Sequence, residues 1–116
     1  MTEPSNENQR SQRRVEAAIP IRVRGLDASG QEYDDSTTAL EVSRRGLSFL
    51  TRHELAIFAN LTVVIPGLGP TRPDEGATDF FTEATVVGSV KEDDEFYRVG
   101  VRFIGATLPM YSAEGI

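Results

Sequence analysis

The segment Tyr97-Arg98-Val99-Gly100-Val101-Arg102-Phe103 constrains the fold more than any other stretch of this chain. Its apolar side chains occupy every second position, with two arginines and a glycine between them. A period of two sends one set to each face of a β-strand and does not fit the 3.6-residue period of an amphipathic helix. The same period recurs at Ile19, Ile21 and Val23, with Pro20, Arg22 and Arg24 on the opposite face. Pro20 cannot donate to a strand ladder, so it belongs near a strand start or on an unpaired edge. Asp27-Ala28-Ser29-Gly30 reads as a hairpin turn that returns the chain along a second strand at 31–42. Strand patterning resumes at 47–51 and 61–66, and two last strands at 80–90 and 96–104 flank an acidic turn at Asp93-Asp94. The Gly- and Pro-dense run 67–76 must be a loop, and only 53–59 could form a helical turn. Six short strands with almost no helix predict an all-β, six-stranded antiparallel barrel.

A chain of 116 residues holds one such domain. Its polar start, residues 1–13, reads as a flexible arm, residues 14–105 as the barrel, and residues 106–116 as a tail. There is no cysteine, which excludes disulfides, thiolate metal sites and a thiol nucleophile. His53 is the sole histidine, too few for a triad or a multi-histidine metal centre. Asp34 and Asp35 are neighbours and on a strand would face opposite ways, so they cannot work as a paired acid and base. Gly67-Leu68-Gly69-Pro70 lacks the third glycine and following helix of a phosphate-cradling loop. These absences point away from an enzyme. No apolar run is long enough to span a membrane and the arm has no signal-peptide core, so the expected compartment is the cytoplasm.

The net charge of −6 disfavours broad binding to nucleic acid or anionic lipid. The basic residues cluster, however, at Arg10, Arg13, Arg14, Arg22 and Arg24, and again at Arg44, Arg45 and Arg52. A local basic patch on an acidic body suits a compact anion. The run Glu92 to Glu95 reads as a solvated hairpin tip, without the oxygen spacing of a calcium loop. Phe80, Phe81, Phe96 and Phe103 read as core, not as a platform for single-stranded nucleic acid.

Two short motifs carry chemistry. Arg10 and Arg14 lie four positions apart just before the first strand, and Glu41-Val42-Ser43-Arg44-Arg45-Gly46 spans a turn between two strands. Guanidinium forks pair bidentately with phosphate or with guanine O6 and N7. A carboxylate accepts guanine N1–H and N2–H, a serine adds a hydroxyl, and glycine gives the turn access to positive φ and spares it a Cβ.

In this order and spacing the motifs resemble those of the PilZ domain family, bacterial receptors of the second messenger cyclic di-GMP. The family pattern is R-x-x-x-R before the first strand and D/N-x-S-x-x-G after the second, with a closing strand like Tyr97–Phe103. The resemblance covers roughly residues 10–105. It implies a PilZ-like barrel that binds cyclic di-GMP, without catalysis or metal, through Arg10, Arg14, Glu41, Ser43 and Gly46, with Arg13 as an auxiliary cation. It also implies that the ordered arm relays binding to a protein partner. Glu41 departs from the family's Asp or Asn by one methylene. The alternative reading is therefore a ligand-free PilZ-like interaction adaptor whose nucleotide site is degenerate at Glu41.

Overall fold

In the computed structural model, which describes residues 15–71, 73–74 and 76–107, the period-two segments form six antiparallel strands. These are β1 (Val15–Leu26), β2 (Glu32–Ser43), β3 (Gly46–Thr51), β4 (Asn60–Ile65), β5 (Phe80–Lys91) and β6 (Tyr97–Phe103). They pair in the order β1-β2-β3-β6-β5-β4, and β4 pairs back onto β1 through Arg22–Val64 to Gly25–Leu61, which closes the barrel. Closure pairs the two margins of the sheet over Arg22–Gly25, while the first half of β1 extends beyond that ladder. Among the described residues there is no helix.

Alternation decides what fills the barrel. Ile21 and Val23 of β1, Phe49 of β3, Val63 and Ile65 of β4, and Val99 and Val101 of β6 all point inward and are buried. Phe80 packs against Phe103 with ring centroids 5.4 Å apart. Phe81, expected in the core, is instead 59% exposed. Its neighbour Phe80 takes the inward position of β5, and strand parity sends Phe81 to the outer face. Pro20 sits beyond the β1–β4 ladder, just past a register shift between Glu16 and Ile19, so one side of it is unpaired.

One connection departs from nearest-neighbour order: β3 to β4 must cross one end of the barrel. Leu55 plugs that end and is buried. The helical turn expected at 53–59 does not form. Backbone bonds from Ala28 N–H to Glu54 O, Phe58 N–H to Val86 O and Val86 N–H to Ala59 O tie the segment to the barrel. Phe58 takes φ 75°, incompatible with a right-handed helix.

The same end holds the β1–β2 hairpin. Asp27 Oδ1 accepts from Ser29 N–H (2.9 Å), Ser29 Oγ–H (2.7 Å) and Gln31 N–H (2.9 Å). The bonds from Gln31 and Ser29 hold its carboxyl below the usual aspartate range. Gly30 supplies the left-handed residue at φ 88°. His53 stacks on Tyr33 at 4.9 Å and its Nε2 lies 2.8 Å from Asp35 Oδ2. Asp34 turns the other way, to Arg22, whose guanidinium keeps that carboxyl below its ordinary value. The adjacent aspartates thus serve separate partners on opposite faces.

Candidate functional site

The second motif lies at the far end of β3 from His53, on the outer wall of the barrel. Val42, Leu47 and Val101 point into the core. Alternation therefore sends Glu41, Ser43, Gly46, Ser48, Gly100 and Arg102 to the outer side. Strand register sets these residues in two rows. One runs Ser43–Gly46–Arg102–Thr85, the other Glu41–Ser48–Gly100–Gly88. A cavity of about 330 Å³ lies over Glu41, Ser43, Gly46, Ser48, Gly100 and Arg102 and is also lined by Arg45 and Val87. Register shifts flank it on both sides, between Ala39 and Glu41 in β2 and between Val86 and Gly88 in β5. Bulges of this kind re-aim side chains and are common beside functional sites.

Local chemistry explains the turn. Ser43 is 7% exposed. Its Oγ accepts from Arg45 N–H at 3.3 Å and donates to Gly46 O at 3.3 Å, so the hydroxyl holds the two-residue Arg44-Arg45 connection closed. Neither arginine of that connection is left-handed. Gly46 differs from the sequence expectation. It does not take a positive φ. Its glycine is required by closeness to β6, because a Cβ there would lie 2.1 Å from Val101 O.

Of the residues expected to bind ligand, the structure brings Glu41, Ser43 and Gly46 to one cavity. Arg10, Arg13 and Arg14 lie outside the described residues. Val15 pairs with Val42 and Glu16 with Glu41, so β1 begins at the cavity's edge. Sequence reasoning did not select Arg102, Arg45, Ser48, Gly100 or Val87, which also line the cavity. The alternation of β6 gave Arg102 and Gly100 their outward side, but their partners on β3 and β5 depend on register across distant segments. Arg45 and Arg102 are exposed and bring guanidinium groups to the same wall as the half-buried Glu41. The wall can therefore offer acceptors and cations to one ligand. Ser43 and His53 are separated by the length of β3, so the hydroxyl has no imidazole base within reach. Among the described residues, no group of histidine, aspartate or glutamate side chains could hold a metal.

Comparison with solved structures finds the same barrel at low sequence identity. The Bacillus subtilis inhibitor of motility MotI/DgrA aligns with TM-score 0.63 and 13% identity over 90% of this chain and 46% of its own. The K. pneumonia MrkH–c-di-GMP complex aligns with TM-score 0.55 and 15% identity over 82% of this chain and 44% of its own. The PilZ domain of YcgR from Escherichia coli with c-di-GMP aligns with TM-score 0.53 and 15% identity, covering 84% of this chain and 79% of its own. The chain thus spans under half the length of the first two. Comparison with curated protein sequences finds no match. The PilZ domain family model matches residues 8–113, nearly the whole chain and both motifs, and the protein belongs to the PilZ domain family.

Proposed function

We propose that this chain is a receptor for cyclic di-GMP, which it binds without catalysis on the outer wall of β2, β3 and β6. The observation that carries the reading is the start of β1 opposite Glu41 and Val42. That pairing supports assigning the R-x-x-x-R arginines to the cavity of the second motif. Arg14 is one residue from Val15 and Arg10 five, a reach of at most about 18 Å. The cavity, near 330 Å³, is at the small end for a ligand site. It takes part of a dinucleotide, and the arm supplies the rest of the enclosure. Arg10 and Arg14 pair with phosphate or the guanine O6/N7 edge, Arg13 adds charge, and Glu41 accepts guanine N1–H and N2–H. Ser43 and Gly46 shape the turn beneath. The neighbours solved with c-di-GMP, MrkH and the YcgR PilZ domain, support this choice of ligand.

Binding must offset the ordering of the arm, about 1–2 kcal/mol per fixed residue. That cost couples ligand to arm conformation, and the ordered arm is the surface read by a protein partner. The test is calorimetric titration of the full chain with cyclic di-GMP. Arg14→Ala is expected to weaken binding by about 1–3 kcal/mol, roughly 5- to 150-fold, with Arg10→Ala similar and Arg13→Ala smaller. Glu41→Asp is expected to strengthen it, because it restores the family's shorter carboxylate. Undiminished binding in all three arginine variants would remove the arm from the site. A folded chain that binds no cyclic di-GMP would favour the adaptor reading, with the site degenerate at Glu41.

A further inference from the structure

Among the described residues, Phe58 is the single non-glycine residue with a positive φ, at 75°. It is the third residue of a turn that Ala59 N–H closes onto Ala56 O at 3.1 Å. Glycine or asparagine normally occupies such a position, because a bulky side chain is strained there. Burial does not offset the strain, since the ring is 77% exposed. Nor does the bond from Phe58 N–H to Val86 O need a phenylalanine, because every residue except proline carries that donor. Strain kept at an exposed aromatic points to what the ring touches outside this chain.

The ring has apolar company. Ile57 beside it is 46% exposed, and the backbone bonds to Val86 set Phe58 against the β5 bulge at Val87, itself 52% exposed. On the other side, the β1–β4 ladder ends at Gly25–Leu61, so Leu26, 52% exposed, comes beside Asn60. Leu26, Ile57, Phe58 and Val87 thus form an apolar band across the lead-in to β4. Exposed carboxylates border it. Glu32 pairs with Leu26 in the β1–β2 ladder, Glu54 lies on the Phe58 segment, and Asp94 is at the tip of the β5–β6 hairpin. None of the three makes an ion pair among the described residues. Two arginines of this end are already engaged: Arg52 lies over Phe96 and 3.9 Å from Glu95, and Arg98 bonds Glu92. The end therefore presents an apolar band inside a surplus of negative charge.

We propose that this band is a docking surface for a basic amphipathic segment of a partner protein, with Phe58 as its anchor and Glu32, Glu54 and Asp94 pairing with lysine or arginine around it. Aromatic anchors carry much of the energy of an interface, and complementary charge steers and selects the partner. A second copy of this chain would bring carboxylates against carboxylates. Nucleic acid and anionic lipid would meet the same repulsion. Of the four apolar residues only Val87 also lines the nucleotide cavity, so the surface stands apart from the cyclic di-GMP reading.

The experiment titrates the full chain with a synthetic lysine–leucine amphipathic helix and with its glutamate–leucine counterpart, read by amide chemical shifts. The lysine peptide is expected to shift amides at 26–28, 54–59 and 91–95, and the glutamate peptide to shift none. Phe58→Asn removes the ring and suits the left-handed backbone, so it is expected to melt at or above the unmodified temperature while its affinity for the lysine peptide falls about tenfold. Glu54→Gln combined with Asp94→Asn is expected to weaken binding several-fold and to flatten its salt dependence. Binding elsewhere on the chain, equal binding by folded Phe58→Asn, or no binding at low salt would overturn the proposal. Self-association that Phe58→Asn abolishes would overturn it in favour of a second copy, and Phe58-dependent binding to phosphatidylglycerol vesicles would overturn it in favour of a membrane surface.

Discussion

Gly46→Ala is expected to lower the melting temperature by roughly 10–20 °C, corresponding to about 3 kcal/mol. The new Cβ would lie 2.1 Å from the carbonyl oxygen of Val101 and 3.2 Å from Arg102 Cα. Both obstacles are backbone, so no side-chain rotation relieves them. Either β3 and β6 separate at Gly46–Arg102, or the Arg44-Arg45 turn changes shape and the Ser43 hydroxyl loses its bonds. Both routes disturb the cavity, so affinity for cyclic di-GMP should fall together with stability. The pair Gly46→Ala and Gly100→Ala is therefore informative: the same substitution, two register positions apart on paired strands, should be disruptive in the first case and thermally silent in the second. Chemical denaturation of both variants checks this, and a Gly46→Ala protein within about 0.5 kcal/mol of the parent would contradict the close approach.

Phe49→Ala should be costlier still, at about 3–5 kcal/mol, because Phe49 has no accessible surface and is among the largest fully buried side chains. Against a total stability of about 5–15 kcal/mol, that loss leaves a marginal fold. Phe81→Ala should change stability by no more than about 0.5 kcal/mol, since that ring is 59% exposed. Urea unfolding of the two variants tests whether strand parity, more than residue type, sets the worth of a phenylalanine in this barrel.

Phe80 and Phe81 show where sequence reading stops. The alternation of β1 and β6 identified their strands and inward residues, because a period of two needs no knowledge of partners. Two adjacent phenylalanines carry no such phase, and the inward choice was made by the register of β5 against β4, where Phe80 meets Ile65 and Phe81 meets Val64. The segment 53–59 had helix-compatible residues, but bonds to Val86 and Ala28 from other elements hold it in a non-helical path that turns at Ile57-Phe58. At the site, Glu41, Ser43 and Gly46 were legible because they are local to one turn. Arg102, Gly100 and Gly88 join them only through ladders between segments tens of residues apart, so no local signal could align them. For Gly46 the demand for glycine comes not from a positive φ in the turn but from β6, which the local sequence does not contain.

The central claim, that cyclic di-GMP binds the outer wall of β2, β3 and β6, is tested most directly by amide chemical-shift mapping of the full chain. On addition of cyclic di-GMP, shifts are expected at Glu41, Arg45, Ser48, Gly88, Gly100 and Arg102 and across residues 8–15, where amide exchange should also slow. The opposite end, marked by Gly30, Glu54 and Asp94, should stay unmoved, and GMP should produce much smaller changes because it offers too few contacts to order the arm. Shifts confined to that opposite end, or no shifts at saturating ligand, would contradict the account.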